Sequence, residues 1–102
     1  MKYTGSDTFH TDYARLAPDE QALFRRAVRQ LNAAYARRGS LPLPRWPASL
    51  RIKAVRGHSG VWEMTWSFSG PDGRATFEFI EIDGEPAVRW RRVGDHSIFT
   101  QP

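Results

Sequence analysis

Cysteine is absent from the sequence, which removes disulfides, thiol nucleophiles and cysteine-ligated metal centres from consideration. Such usage suits a reducing compartment, and a cytoplasmic location is the expectation. Long apolar runs are also missing. None approaches the ~18 residues of a membrane-spanning helix, and the opening MKYTGSDTFHTDY is too polar to read as a signal peptide. There is no Gly-rich phosphate loop. His10, His58 and His96 are dispersed, without the spacing of a metal site, so neither a metal nor another cofactor is expected. Acidic residues are the scarcer charge: 11 Asp and Glu stand against 15 Lys and Arg, for a net charge of +4.

The basic excess is uneven. Residues 1–58 hold 11 basic and 4 acidic side chains, whereas residues 59–102 hold 4 and 7. Of the basic residues 13 are Arg, whose planar fork suits phosphate. A polyanionic partner is one reading, either nucleic acid or an acidic protein; a solvated basic surface is the other. The length, 102 residues, is enough for one domain and not for two. Four Trp and six Phe must supply much of its core area.

The chain divides into a helical half over about 6–38, a Pro-rich linker over 39–47, and a sheet and tail over 49–99. Ser6 can cap a first helix whose apolar stripe is Phe9, Tyr13 and Leu16. Pro18 suits the first position of a second helix over about 18–38, with Asp19 and Glu20 in its first turn. Phe24, Val28, Leu31 and Tyr35 form its apolar face. Arg25, Arg29 and Asn32 lie on another, Arg37 and Arg38 suit its C-terminal dipole, and Gly39 its end. GSLPLPRWP (39–47) has too many prolines for helix or central strand.

Strands are expected over 50–56, 61–68, 74–82 and 87–93, with turns at GPDG (70–73) and DGEP (83–86). Short turns imply an antiparallel meander. Period-2 alternation then sends Trp62, Met64, Trp66, Phe77, Phe79, Val88 and Trp90 to the helix side. Glu63, Thr65, Ser67, Arg74, Thr76, Glu78, Arg89 and Arg91 fall on the opposite, polar face.

This α-α-β-β-β-β order with an Arg-bearing polar sheet face resembles the RelE/ParE toxin superfamily. TFHTDYARLAPDEQALFRRAVRQL (8–31) looks like the family's opening helical hairpin, and LRIKAVRGHSGVWEMTW (50–66) like its first two meander strands. DGRATFEF (72–79) is similar to its "G-x-R-x-x-Y" strand, and RWRRVGDHSIF (89–99) resembles its closing strand and tail. The likeness spans about residues 8–99; the strand that precedes the hairpin in the family is represented by the short KYT (2–4). It implies an α+β fold with the helical hairpin packed on one face of a mainly antiparallel four-stranded sheet. It also implies the toxin of a type II toxin–antitoxin pair, with a cognate antitoxin as partner. The superfamily contains mRNA endoribonucleases, often working on the ribosome, and ParE-type inhibitors that bind DNA gyrase without catalysis. An inactive member is a third reading.

Metal-free RNA cleavage uses the 2′-OH as nucleophile. It needs a base, an acid and positive charge at the phosphate. The resemblance assigns Arg74, the strand Arg after Gly, to the scissile phosphate; pairing with Glu63 or Glu78 is its plain structural alternative. His96 matches the tail position held by His or Arg in nucleases, where an imidazole suits either proton role; a surface His beside Asp95 is the alternative. His58 lies in the turn between the first two meander strands, where some members carry a catalytic His and others an exposed loop residue. Glu63 stands where the archetypal nuclease has Lys; it suits a base or a solvated strand carboxylate. Arg89 and Arg91 suit substrate phosphates or cross-strand pairs with Glu78. Phe99 stands where many nucleases have a catalytic Tyr; it can stack on a base or simply pack, but moves no proton.

Overall fold

Ser6 uses its hydroxyl to accept the Phe9 amide at 3.0 Å and so starts helix α1, Asp7–Arg15. Helix α2, Pro18–Ala36, has Pro18 at its start, and the Glu20 carboxylate accepts the Ala17 N–H at 2.8 Å. These contacts appear in a computed structural model that describes residues 1–67 and 72–102. Phe24, Ala27, Leu31 and Tyr35 form the buried stripe of α2, while Val28 is only partly covered. The helix ends two residues before the expected position. Arg38 turns back instead, donating to the Tyr35 carbonyl at 3.0 Å with its guanidinium 3.7 Å from the Tyr35 ring.

The strands are β1 (Lys2–Gly5), β2 (Lys53–Ala54), β3 (Trp62–Ser67), β4 (Gly73–Ile82) and β5 (Glu85–Gly94), in the order β1-β5-β4-β3-β2. β3, β4 and β5 form the expected meander. Asp83 and Gly84, with φ of 52° and 78°, make the β4–β5 turn, in the left-handed conformations that a two-residue hairpin favours. Phe68, the end of the expected strand 61–68, and Gly70 and Pro71 of the expected first turn lie outside the described residues.

Two strand expectations are corrected. The stretch 50–56 yields only the two-residue β2, because Ala48–Leu50 forms a 3-10 turn and Arg51 sits at φ 46°, off the extended path. The sheet has five strands rather than four: β1 pairs parallel with β5, from Lys2 beside Ala87 to Gly5 beside Trp90. That pairing joins chain segments more than eighty residues apart, so no local pattern announces it.

The helices cover one face of the sheet, α1 against β5 and α2 against β3. Trp90 sits centrally, with the rings of Phe24, Phe77 and Phe9 at 5.1, 5.2 and 6.2 Å. Each such ring is worth roughly 2–3 kcal/mol of burial; Phe24 meets Trp90 edge-on, Phe77 tilted and Phe9 stacked. Trp46, from the Pro-rich linker, stacks on Phe79 at 6.0 Å and closes the far end of this face. Gly73 underlies Trp66, where an added Cβ would stand 2.5 Å from the indole; the Trp66 Nε1–H donates to the Arg74 carbonyl at 2.8 Å. Among the described residues no helix is long and apolar enough to cross a membrane.

Candidate functional site: an arginine groove on the polar sheet face

The polar face is shaped by an irregularity in β5. Phe77 pairs with Trp90, but Thr76 pairs with Arg92, which leaves Arg91 as an extra residue. Such a bulge kinks the strand and shifts its alternation by one. Strict alternation would have put Arg92 on Trp90's side, inside the core. With the bulge, Val93 takes the core position instead, and Arg89, Arg91 and Arg92 line one groove of about 470 Å³. His58 forms part of its wall, Thr100 to Pro102 of the tail another part, and Ser6 and Thr8 a third.

Each arginine is held. Arg89 pairs with Glu78 at 3.2 Å, and Arg91 reaches the same carboxylate at 3.6 Å. Arg92 donates to Asp12 on α1 through Nε at 2.6 Å and a terminal nitrogen at 3.3 Å. Asp12, only 7% exposed, also accepts the Val93 N–H at 3.2 Å. Ser6 Oγ donates to the Arg91 carbonyl at 2.9 Å, tying the start of α1 to the bulge. Backbone oxygens of the tail complete the set: Pro102 O accepts from Arg91 at 3.0 Å and Gln101 O from Arg92 at 3.2 Å. Three guanidinium groups thus share the carboxylates of Glu78 and Asp12 and the backbone oxygens of the tail.

His58 is exposed, in the turn between β2 and β3. The turn is closed by its own backbone bonds to Val55 and from Val61, and by Gly57 and Gly60 with φ near 80°. Arg74 lies on the same face but toward its other end, opposite Thr65 and Gly94. Its side chain is 15% exposed and donates to Thr65 Oγ1 and, at 3.4 Å, to Asp72. Neither Glu63 nor Glu78 is among these partners. Glu63 pairs with Lys53 at 3.8 Å. His96 opens a 3-10 segment, His96–Thr100, exposed and edge-on to the half-buried Phe99 at 5.0 Å. Asp95 starts that segment by accepting the Ser97 N–H at 2.8 Å; hydrogen bonds from the Ser97 hydroxyl and amide hold its carboxyl below the ordinary 3.8.

The groove therefore gathers His58, Arg89 and Arg91, and leaves Arg74, His96 and Phe99 together at the Gly94 end, with Glu63 apart from both. The polar face is also less open than its pattern implies. The tail lies against β4 and β5, Ile98 is buried, and a Cβ on Gly94 would meet Ile98 at 3.0 Å. Thr76 is fully buried and Thr65, which accepts from Arg74, is 2% exposed; Thr76 Oγ1 and Arg74 Nε are buried without a hydrogen-bond partner. Arg92 and Asp12 were not anticipated. The string RWRRV held the signal: alternation that buries both Trp90 and Val93 requires one extra residue between them. Among the described residues no group of three or more His, Asp and Glu could hold a metal ion.

No family model and no curated protein matches the sequence. Solved structures do. RelE in the RelB–RelE antitoxin–toxin complex from Methanococcus jannaschii aligns over 97% of this chain and 99% of its own, at 15% identity and a TM-score of 0.60. A YoeB/ParE toxin from Agrobacterium tumefaciens aligns over 94% and 99%, at 15% identity and a TM-score of 0.62. The isolated E. coli RelE toxin aligns over 92% and 82%, at 15% identity and a TM-score of 0.56. The chain has the RelE-like α+β fold; at this identity the likeness is one of fold.

Proposed function

We propose that this protein is the toxin of a type II toxin–antitoxin pair and that it cleaves messenger RNA without a metal. The observation that carries the reading is the groove in which His58 shares a wall with Arg89, Arg91 and Arg92 on the polar face of a RelE-like sheet. Guanidinium forks bind phosphate oxygens with charge-assisted bonds, and a His beside them works as an acid or base near neutral pH. His58 takes the proton of the 2′-OH. The 2′ oxygen bonds to phosphorus, the bond to the 5′ oxygen breaks, and that oxygen receives a proton. The products are a 2′,3′-cyclic phosphate and a free 5′-OH. His96, at the Gly94 end and outside the groove lining, is left out of this step, and the 5′ oxygen takes its proton from water. Arg74 is assigned to a neighbouring phosphate and Phe99 to a base at the Gly94 end. Glu63, engaged by Lys53, is left out of the proton transfers. The antitoxin partner rests on the fold's likeness to toxins solved with antitoxins, and the substrate places the protein in the cytoplasm.

One observation favours a second reading, a ParE-like inhibitor that binds DNA gyrase without chemistry: Arg91 and Arg92 are already engaged by tail carbonyls and carboxylates. Induced expression with mapping of RNA ends, beside a gyrase supercoiling assay, separates the two. His58→Gln should slow RNA cleavage by roughly 10²–10⁴-fold and leave RNA affinity nearly unchanged. A wild-type protein that cuts no RNA with ribosomes supplied would remove the nuclease reading.

A further inference from the structure

Arg91 and Arg92 each divide their N–H groups between a carboxylate and the tail. Arg92 turns Nε and one terminal nitrogen to Asp12, at 2.6 and 3.3 Å. Its other terminal nitrogen donates to the Gln101 carbonyl at 3.2 Å. Arg91 turns a terminal nitrogen to Glu78 at 3.6 Å, and its Nε donates to the Pro102 carbonyl at 3.0 Å. The carboxylates thus fix both guanidinium planes, while two consecutive tail carbonyls occupy donors that the carboxylates leave over. These carbonyls line the groove beside His58 and Arg89. They are neutral, and an anionic acceptor at the same donors makes a bond roughly twice as strong.

The tail is held lightly at this point. Its firm seat is Ile98, 3% exposed and close against Gly94. Beyond that seat Gln101 donates its N–H to the Ile98 carbonyl at 3.1 Å, and Pro102 has no N–H to donate. Among the described residues the other hydrogen bonds of 101 and 102 are the two received from Arg92 and Arg91. Burial of Pro102 adds the remaining hold.

We infer that residues 100–102 are a displaceable strap across the arginine groove, whose carbonyl oxygens stand in for phosphate oxygens until RNA replaces them. The inference rests on the nuclease reading above. When the strap lifts, Arg91 Nε and the terminal nitrogen of Arg92 pass from carbonyl to phosphate, and Glu78 and Asp12 keep both planes aimed. The closed strap lowers the apparent RNA affinity in proportion to the fraction of molecules that are open. Engagement of both arginines by the tail is then the resting state of an RNA site.

The probe is a short single-stranded RNA carrying 2′-O-methyl groups, which block cleavage. Ile98→Ser unseats the strap and should tighten binding of this RNA about 10-fold, the gain expected where about one molecule in ten is open at rest. Pro102→Gly removes only the buried ring beyond that seat and should tighten binding about 3-fold by the same relation. Both variants should keep the wild-type circular dichroism spectrum. In the wild-type complex the ring carbons of Pro102 should move to the NMR positions of an exposed proline. RNA affinity unchanged or weakened in both variants, or Pro102 resonances that RNA leaves in place, would overturn the strap and spare the nuclease reading. Absence of RNA binding by wild type and both variants would overturn the two together.

Discussion

Arg92 and Asp12 show how much one side chain decides here. Arg92 is three-quarters covered and would be untenable without its carboxylate, since a guanidinium removed from water needs an anion to replace its hydration. Asp12 supplies two charge-assisted bonds and takes the Val93 amide as well. Removing it strands a cation and a backbone donor together. Asp12→Ala should therefore lower stability by about 1.5–3 kcal/mol, the range for hydrogen bonds to charged groups, read as a lower midpoint of urea unfolding. Asp12→Asn, which still accepts from Val93, should lose less. The pair also aims Arg92 into the groove, so Asp12→Ala should weaken RNA affinity although Asp12 touches no substrate in the proposed mechanism.

Among the elements, the tail His96–Thr100 is the one whose role local sequence says least about. Its start depends on Asp95. Because hydrogen bonds from Ser97 favour the ionised form, the folded pKa lies below the unfolded one. The stabilisation is complete above about pH 4 and is lost as pH falls through the lowered folded value. Carbon-detected titration of the Asp95 carboxyl should give a midpoint below 3.8, and Ser97→Ala should move it upward. Helix α2 is the opposite case. Its Pro18 start, acidic first turn and apolar stripe were all legible, because each is a property of residues three or four apart. The β3–β4–β5 meander was legible for the same reason, through period 2 and the Asp83–Gly84 turn. Strand β2 was not: the 3-10 turn at 48–50 buries Leu50, a gain set by the helices above it rather than by its neighbours in sequence.

For the whole molecule, the charge asymmetry has a spatial sense. The basic half of the chain places Arg25 and Arg29 on α2 beside Tyr13, while the acidic half supplies Arg89, Arg91 and Arg92 to the groove. Binding of single-stranded RNA by the groove should release counterions, with a slope of log affinity against log salt of about −0.7 per phosphate engaged. With three arginines the slope should lie near −2, and Arg89→Ala should make it shallower by roughly 0.7. A slope unchanged by Arg89→Ala, Arg91→Ala and Arg92→Ala in turn would move the RNA off this face.

The sequence by itself determined the fold class, the helical hairpin, the two faces of the sheet and most of their residues, since helical and strand periodicities and turn chemistry act over a few residues. It also marked His58, Arg89 and Arg91 as chemically able. Tertiary structure alone decided which able residues meet. The β5 bulge turned Arg92 outward and Val93 inward, because burying Val93 is favourable and burying an unpaired Arg is not. The parallel β1–β5 pairing placed α1 where Asp12 could receive Arg92. The folded tail separated His96 from His58, as Ile98 found its burial on the polar face instead of in solvent. These outcomes depend on contacts between segments tens of residues apart, whose energies appear only once the chain has closed on itself.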